Sequence, residues 1–239
     1  LFRSVTDANG DMVRTFTAAV HQGINRVVWP LKRDGLPPLP GSDAAPGDDR
    51  PDGIEVLPGT YRFTVTLDET SQSIDARVLA DPRVEVGMAA MQANQAMQLE
   101  LQEQRARIDA ALARIVTARR DLATIETLIA QSDDPAAHES LQEAVEEGME
   151  RLLALEGAFR VPDDTKGRPY RNDRAINVLS RAASFLTSTY DAPSATAKAF
   201  ADLATRQIDR DVAALNAYLG GDFAALRSAF AKSGLELLD

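Results

Sequence analysis

The sequence predicts an α+β protein in two segregated parts, a β-sandwich followed by a bundle of helices. Two changes of rhythm carry that reading. Through about residue 80, apolar side chains recur at every second position, the repeat of a half-buried strand. From about residue 84 they recur every seventh position with others at three and four, the repeat of a helix packed on helices. The expected parts are therefore residues 1–82 and 83–239.

Five strands are expected in the first part, at roughly 1–6, 12–18, 23–29, 60–68 and 72–80. Asn9-Gly10 lies between LFRSVT and MVRTFT, and both residues tolerate the positive φ of a tight hairpin. Ile24 to Trp29 is β-branched and apolar after Gly23. In TYRFTVTL, Tyr61, Phe63, Val65 and Leu67 alternate with polar neighbours. Ile74, Ala76 and Val78 do the same in SIDARVL. An immunoglobulin-like or fibronectin-III-like sandwich has about seven strands. Five is short, and the chain opens directly in a strand at Leu1, so the sandwich is expected to be incomplete at its N-terminus and the chain to be a piece of something longer. Between Pro30 and Pro58 the chain is dense in Pro, Gly and Asp, which predicts a long surface loop.

The helical part opens with the longest element. Leu101, Ile108, Ile115, Leu122 and Ile129 form a seven-residue repeat, thickened by Leu112 and Ile125. Run unbroken from Val84 to Gln131, such a helix spans about 70 Å; a break near Asn94 is left open. Asp134-Pro135 restarts the helix, with Asp as N-cap and Pro in the first turn. The second helix carries Leu141, Val145, Met149, Leu152 and Phe159 and stops before Pro162. A third holds Ile176, Leu179, Ala183, Leu186 and Tyr190. Pro193-Ser194 starts a fourth with Phe200, Leu203, Ile208, Val212, Leu215 and Leu219. Gly220-Gly221-Asp222 then introduces a short last helix at about 222–232, closed by Gly234. Arg105, Arg107, Arg114, Arg119 and Arg120 on the first helix are expected to face Glu139, Glu143, Glu146, Glu147 and Glu150 on the second. Short connections between four main helices predict a four-helix bundle with a long first helix.

Composition narrows the function. A net charge of −10 over 239 residues opposes nucleic-acid binding, which uses a basic face against phosphates. It opposes a polybasic membrane surface too, and no apolar run reaches the roughly 20 residues of a membrane span. With no cysteine, disulfides, thiolate catalysis and cysteine metal sites are excluded.

His21 and His138 have no nucleophile or ligand partner at a motif spacing, and no Glu stands three residues before either, as a carboxylate di-metal bundle requires. Asp48, Asp49 and Asp52 cluster in GDDRPDG without the spacing that wraps oxygens around calcium. Glu143, Glu146, Glu147 and Glu150 have the helical spacing of a solvated face, though paired carboxylates are also what glycoside hydrolysis uses. Met88, Met91 and Met97 form an adaptable apolar stripe, suited to core packing or to docking on the β part or a partner. Trp29 and Tyr61 read as sandwich core, with an aromatic ligand platform as the rival reading. No G-x-S-x-G, glycine-rich phosphate loop or H-E-x-x-H occurs. No catalytic, cofactor-binding or metal-ligating residue is assigned, and no cofactor is implied.

The motifs D-A-N-G-D-M-V-R-T-F, G-I-N-R-V-V-W and L-P-G-T-Y-R-F-T-V resemble the immunoglobulin-like module of the flagellar hook-capping protein. The matching positions are Asp7, Gly10, Val13, Arg14, Gly23, Asn25, Trp29, Pro58, Gly59, Thr60 and Tyr61. The module's usual Asp-Gly after the Trp is replaced by Pro30-Leu31. Together with the Pro-rich insertion, the D-P-R linker and the helical tail, nearly the whole chain resembles the C-terminal region of bacterial sortilin-like or BNR (Asp-box) β-propeller proteins often labelled glycosyl hydrolases. No S-x-D-x-G-x-x-W Asp-box occurs here, so the propeller would lie upstream.

The resemblance implies a secreted or periplasmic setting and a non-catalytic accessory module whose partner is the upstream propeller or another protein. Self-association is left open. The alternatives are part of a glycoside hydrolase with upstream catalytic residues, and a carbohydrate-binding module.

Overall fold

The protein is described by a computed structural model covering residues 2–17, 20–41, 50–162 and 173–235. It is a mixed α+β chain with antiparallel sheet in its first third and helix after it. Strands β1 (Phe2–Thr6), β2 (Met12–Thr17), β5 (Gly59–Leu67) and β6 (Thr70–Val78) form one sheet in the order β2-β1-β5-β6. Strands β3 (Lys32–Asp34) and β4 (Asp52–Glu55) form a second, two-stranded sheet.

The β1–β2 hairpin forms where Asn9-Gly10 predicts it, by a different turn. Asp7 Oδ1 accepts the amides of Asn9 (2.9 Å) and Asp11 (3.0 Å), and Gly10 alone takes positive φ, at 89°. The Asp side chain thus templates a five-residue turn in place of a two-residue one. The β5–β6 hairpin is tighter, turning on Asp68 and Glu69 with Asp68 at φ 51°.

Two expectations in this region are corrected. Residues 23–29 are not a strand: Ile24 and Val28 are exposed and the segment joins neither sheet. Asn25 instead folds onto its own backbone, accepting from the His21 amide and donating to the His21 and Gly23 carbonyls. Such local bonds compete with a ladder, and alternation alone cannot supply a partner strand. Conversely, the expected 30–58 loop contains β3 and β4. The two backbones approach so closely that a Cβ on Gly53 would lie 2.6 Å from the Asp34 carbonyl oxygen, and one on Gly35 2.8 Å from that of Asp52. Residues 42–49 at the loop's centre lie outside the described residues.

The helices are α1 (Met88–Gln131), α2 (Glu139–Phe159), α3 (Ala175–Thr187), α4 (Ala195–Gly220) and α5 (Asp222–Lys232), with a 3-10 turn at Pro135–His138. α1 is unbroken at Asn94 and, with 44 residues, about 66 Å long. Its heptad positions Leu101, Ile108, Ile115, Leu122 and Ile129 are all buried, as are Leu112 and Ile125. At the start of α4, Ser194 Oγ accepts the Ala197 amide as an N-cap should. Asp134 caps differently from expectation: its side chain makes no cap bond and its carbonyl accepts the Ala137 amide. Gly234 closes the region after α5 at φ 77°.

The chain divides into two compact units. One comprises Leu1–Pro38, Asp43–Gln102 and Ser184–Ala197; the other comprises Leu39–Ser42, Glu103–Ala183 and Lys198–Asp239. In the first, Val5, Val13, Val56 and Tyr61 form the β core, with Phe16, Trp29, Phe63 and Val78 packed on it. In the second, Gly148 of α2 admits α1, α4 and α5. A Cβ there would meet Leu122 Cδ1 at 3.0 Å, Tyr218 Oη at 3.1 Å and Leu226 Cδ1 at 3.5 Å.

Candidate functional site

In the first unit the aromatic pair is turned inward. Trp29 meets Tyr61 and Phe63 edge-on, with ring centroids 5.3 and 5.2 Å apart. Its indole N–H donates to the Lys32 carbonyl at 2.8 Å, and Tyr61 Oη donates to the Leu57 carbonyl at 2.7 Å. Burial pushes the Tyr61 phenol pKa up. A sugar platform needs an open ring face and free polar tips. Here the tips are bonded and Tyr61 is buried.

The expected acidic and imidazole candidates do not converge. Glu143, Glu146, Glu147 and Glu150 are exposed along α2. His21 is exposed and His138 half-buried, and among the described residues no three His, Cys, Asp or Glu side chains are grouped to hold a metal. Asp48 and Asp49 lie outside the described residues. Asp52 is engaged with cations, Arg14 Nη2 at 3.2 Å and Lys32 Nζ at 3.6 Å.

Arg14 is the polar centre of the β region. From β2 its Nη1 donates to the Pro51 carbonyl (2.7 Å) and the Arg33 carbonyl (3.2 Å), while Nε lies 3.4 Å from Asp34 Oδ1. Asp34 in turn accepts from Thr15 Oγ1 at 3.0 Å. One buried guanidinium thus ties β2 to both strands of the second sheet. Arg3, the other buried arginine of the sheet, lies over the Phe16 ring at 5.8 Å, with Nε and Nη1 unbonded among the described residues.

A cavity of about 850 Å³ lies in the same unit. Its walls include Val56 and Pro58 before β5, Val78 at the end of β6, Met91 of α1 and Leu186 of α3. Met91 is the buried member of the methionine stripe, and Met88 is exposed. At the rim Tyr190 Oη is 3.4 Å from both Glu55 carboxylate oxygens, and Gln95 Nε2 donates to the Glu55 carbonyl at 2.8 Å. The Glu55 charge, then burial, raises the Tyr190 pKa, so the phenol stays protonated as a donor. Asn94 stands deeper, donating through Nδ2 to the carbonyls of Leu186, Thr189 and Asp191 and accepting from Gln98. The chamber has apolar walls and a polar rim, but no nucleophile–base pair is seen among its described lining residues. Its apolar walls suit contact with an apolar group.

In the second unit the buried charges form clamps. Glu156, 1% exposed, receives Arg160 Nη2 at 2.6 Å on Oε1 and Arg119 Nη1 at 2.8 Å on Oε2. Arg160 also donates to the Gly41 carbonyl, and Arg174 donates to the Arg160 carbonyl. Arg119 therefore reaches α2 as charge pairing predicts, though at Glu156 and not along the expected acidic row. Arg107 and Arg114 turn instead to Asp209 and Asn216 of α4. Asp211 is buried with Oδ1 on Arg210 and Oδ2 unbonded among the described residues.

These polar positions carry a signal in the sequence that hydrophobic counting overlooks. Glu156 occupies an apolar stripe position between Leu152 and Phe159, Asp211 one between Ile208 and Leu215, and Arg3 shares the inward face with Val5. A charge in a core register forecasts a buried charge, which Glu156 and Asp211 meet with an arginine and Arg3 with the Phe16 ring.

Compared with protein-family models, with curated proteins and with solved structures, the chain matches none. Among the described residues no helix is long and apolar enough to cross a membrane.

Proposed function

We propose that this chain is a non-catalytic structural and interaction module: an immunoglobulin-like sandwich short of strands, followed by a four-helix bundle. We place it as the C-terminal accessory region of a larger secreted β-propeller protein, where it mediates packing or assembly. The placement rests on the motif resemblance. The assembly role rests chiefly on one observation, the apolar row that one face of the large sheet leaves in water. Val65 is 40% exposed, Leu67 46% and Ile74 71%. The buried polar groups support it as well, because Arg14, Asn94 and Glu156 are all taken up in clamps. The inward-turned Trp29 gives the carbohydrate-binding alternative no support.

The test is the intact mass of the native polypeptide together with turnover by the purified chain. A native chain well above 25.8 kDa, carrying this segment last and with the segment inert on a glycan panel, is the expected result. A native chain of 25.8 kDa that hydrolyses glycans overturns the reading.

A further inference from the structure

The large sheet has two edge strands, β2 and β6; on β2 the Thr15 amide is taken up by the Asp34 carboxylate, which leaves β6 as the open edge. That strand pairs with β5 on one side, no strand pairs with its other side among the described residues, and Ile74 stands exposed on it. An unpaired edge presents a row of backbone donors and acceptors ready to accept another strand. Which residues present them follows from the hairpin. Leu67 and Thr70 close its two-residue turn, so the even-numbered residues of β6 bond to β5. Ser71, Ser73, Asp75 and Arg77 then aim their N–H and C=O groups outward. The side-chain contacts agree: Arg62–Asp75, Thr64–Ser73 and Thr66–Ser71 touch across the closer, non-bonded pairs.

We propose that β6 pairs antiparallel with β6 of a second copy of this chain, joining two four-stranded sheets about a two-fold axis at Ala76. This inference deepens the assembly role proposed above and rests on it. Charge selects both the occupant and the register. With Ala76 opposite its own mate, Asp75 faces Arg77 of the other copy in an outward-bonded pair, and the symmetry makes this happen twice. Ile74 then lies against Val78 of the other copy on the apolar face. A register centred on Asp75 sets two carboxylates against each other, and one centred on Ile74 leaves both charges facing serines. Arg77 has no ion-pair partner among the described residues. Asp75 pairs with Arg62 of its own strand neighbour and retains lone pairs for a second donor. A self-complementary charge pair across an exposed edge is a recognition device for a second copy.

Sedimentation of the full chain across a concentration series tests this. The wild type is expected to shift reversibly from 25.8 kDa toward twice that mass. Arg77→Asp is expected to weaken dimerisation by about tenfold or more, because it opposes Asp to Asp. Asp75→Arg is made together with Arg62→Thr, which spares it a like-charged neighbour within its own chain, and should weaken dimerisation equally. Mixed one to one, the two variants restore both charge pairs and should form a heterodimer. Trp29 emission verifies that each variant is folded. A wild type monomeric throughout overturns the β6 pairing, as does a dimer that neither variant weakens, or a mixture that stays monomeric. None of these outcomes touches the mass and turnover test of the accessory role, so the two ideas fail separately.

Discussion

Replacing Arg14 by Met isolates the polar centre of the β region. The variant retains an apolar stem of similar length and loses two carbonyl hydrogen bonds and the links to Asp34 and Asp52. Removing one partner of a buried ion pair costs about 3–5 kcal/mol. The Asp52 side chain is 44% exposed, so its share is largely screened by water, while that of Asp34, at 19%, is not. The expected loss is therefore about 3 kcal/mol, the low end of the range. With a urea slope of about 2 kcal/mol/M the midpoint should fall by about 1.5 M. Trp29 is the only tryptophan and sits beside this core, so its fluorescence reports the transition directly. Asp34→Ala, added in a double-mutant cycle, should recover part of the loss, because the stranded carboxylate is then gone. A midpoint within about 0.3 M of wild type would refute the reasoning, since on that same slope it corresponds to well under 1 kcal/mol.

Gly53→Ala drives a methyl into the Asp34 carbonyl and should destabilise the same transition by about 2–3 kcal/mol, read by Trp29. Asn94→Ala strips a donor from three carbonyls and should cost about 2 kcal/mol in thermal or urea unfolding; an unchanged midpoint would show that water replaces the amide. Tyr61→Phe removes the bond to Leu57 and should cost about 1 kcal/mol by the same assay. The Asp109 pKa is raised above 3.8, chiefly by burial and despite Arg105 beside it. The folded state therefore holds this proton more tightly than the unfolded chain, and the contribution to stability is lost as pH rises through the folded value. Stability of wild type relative to Asp109→Asn should fall as pH climbs from about 3.8 toward neutrality. A rise over that interval would contradict the assignment.

The seven-residue repeat was fully legible, because helix periodicity needs no knowledge of the partner: Leu101 through Ile129 are buried as spaced. The strands at 60–68 and 72–80 were legible to within two residues for the same reason. Residues 23–29 show where that logic stops, since an alternating segment becomes a strand only beside a ladder, and Asn25 offers its backbone a local substitute. β3 and β4 escaped notice because KRD and DGIE are short and charged. What orders them is tertiary, a guanidinium 19 residues from Arg33 and 37 from Pro51, and two glycines that let the backbones touch. That Trp29 packs on the β core was legible, though it is only partly buried and lies in no strand. The reach of Asn94 to residues near 190 was not, because a polar residue on a helix says nothing about which distant carbonyls it will find.

That reach bears on the order in which the protein can be completed. Asn94 satisfies carbonyls at Leu186, Thr189 and Asp191, and Ser184–Ala197 belongs to the same compact unit as the sheets. A nascent chain that has emerged only through α1 carries every described strand and still lacks a piece of the unit those strands belong to. Closing contacts about 95 residues apart must await synthesis of most of the molecule, and contacts of such separation are slow to form. Until then the walls of Val56, Val78 and Met91 stand open, with the aggregation risk that exposed apolar surface brings to a growing chain. A truncation ending at Gln131 would reproduce that intermediate, and it should bind more of a hydrophobic dye than the finished protein does.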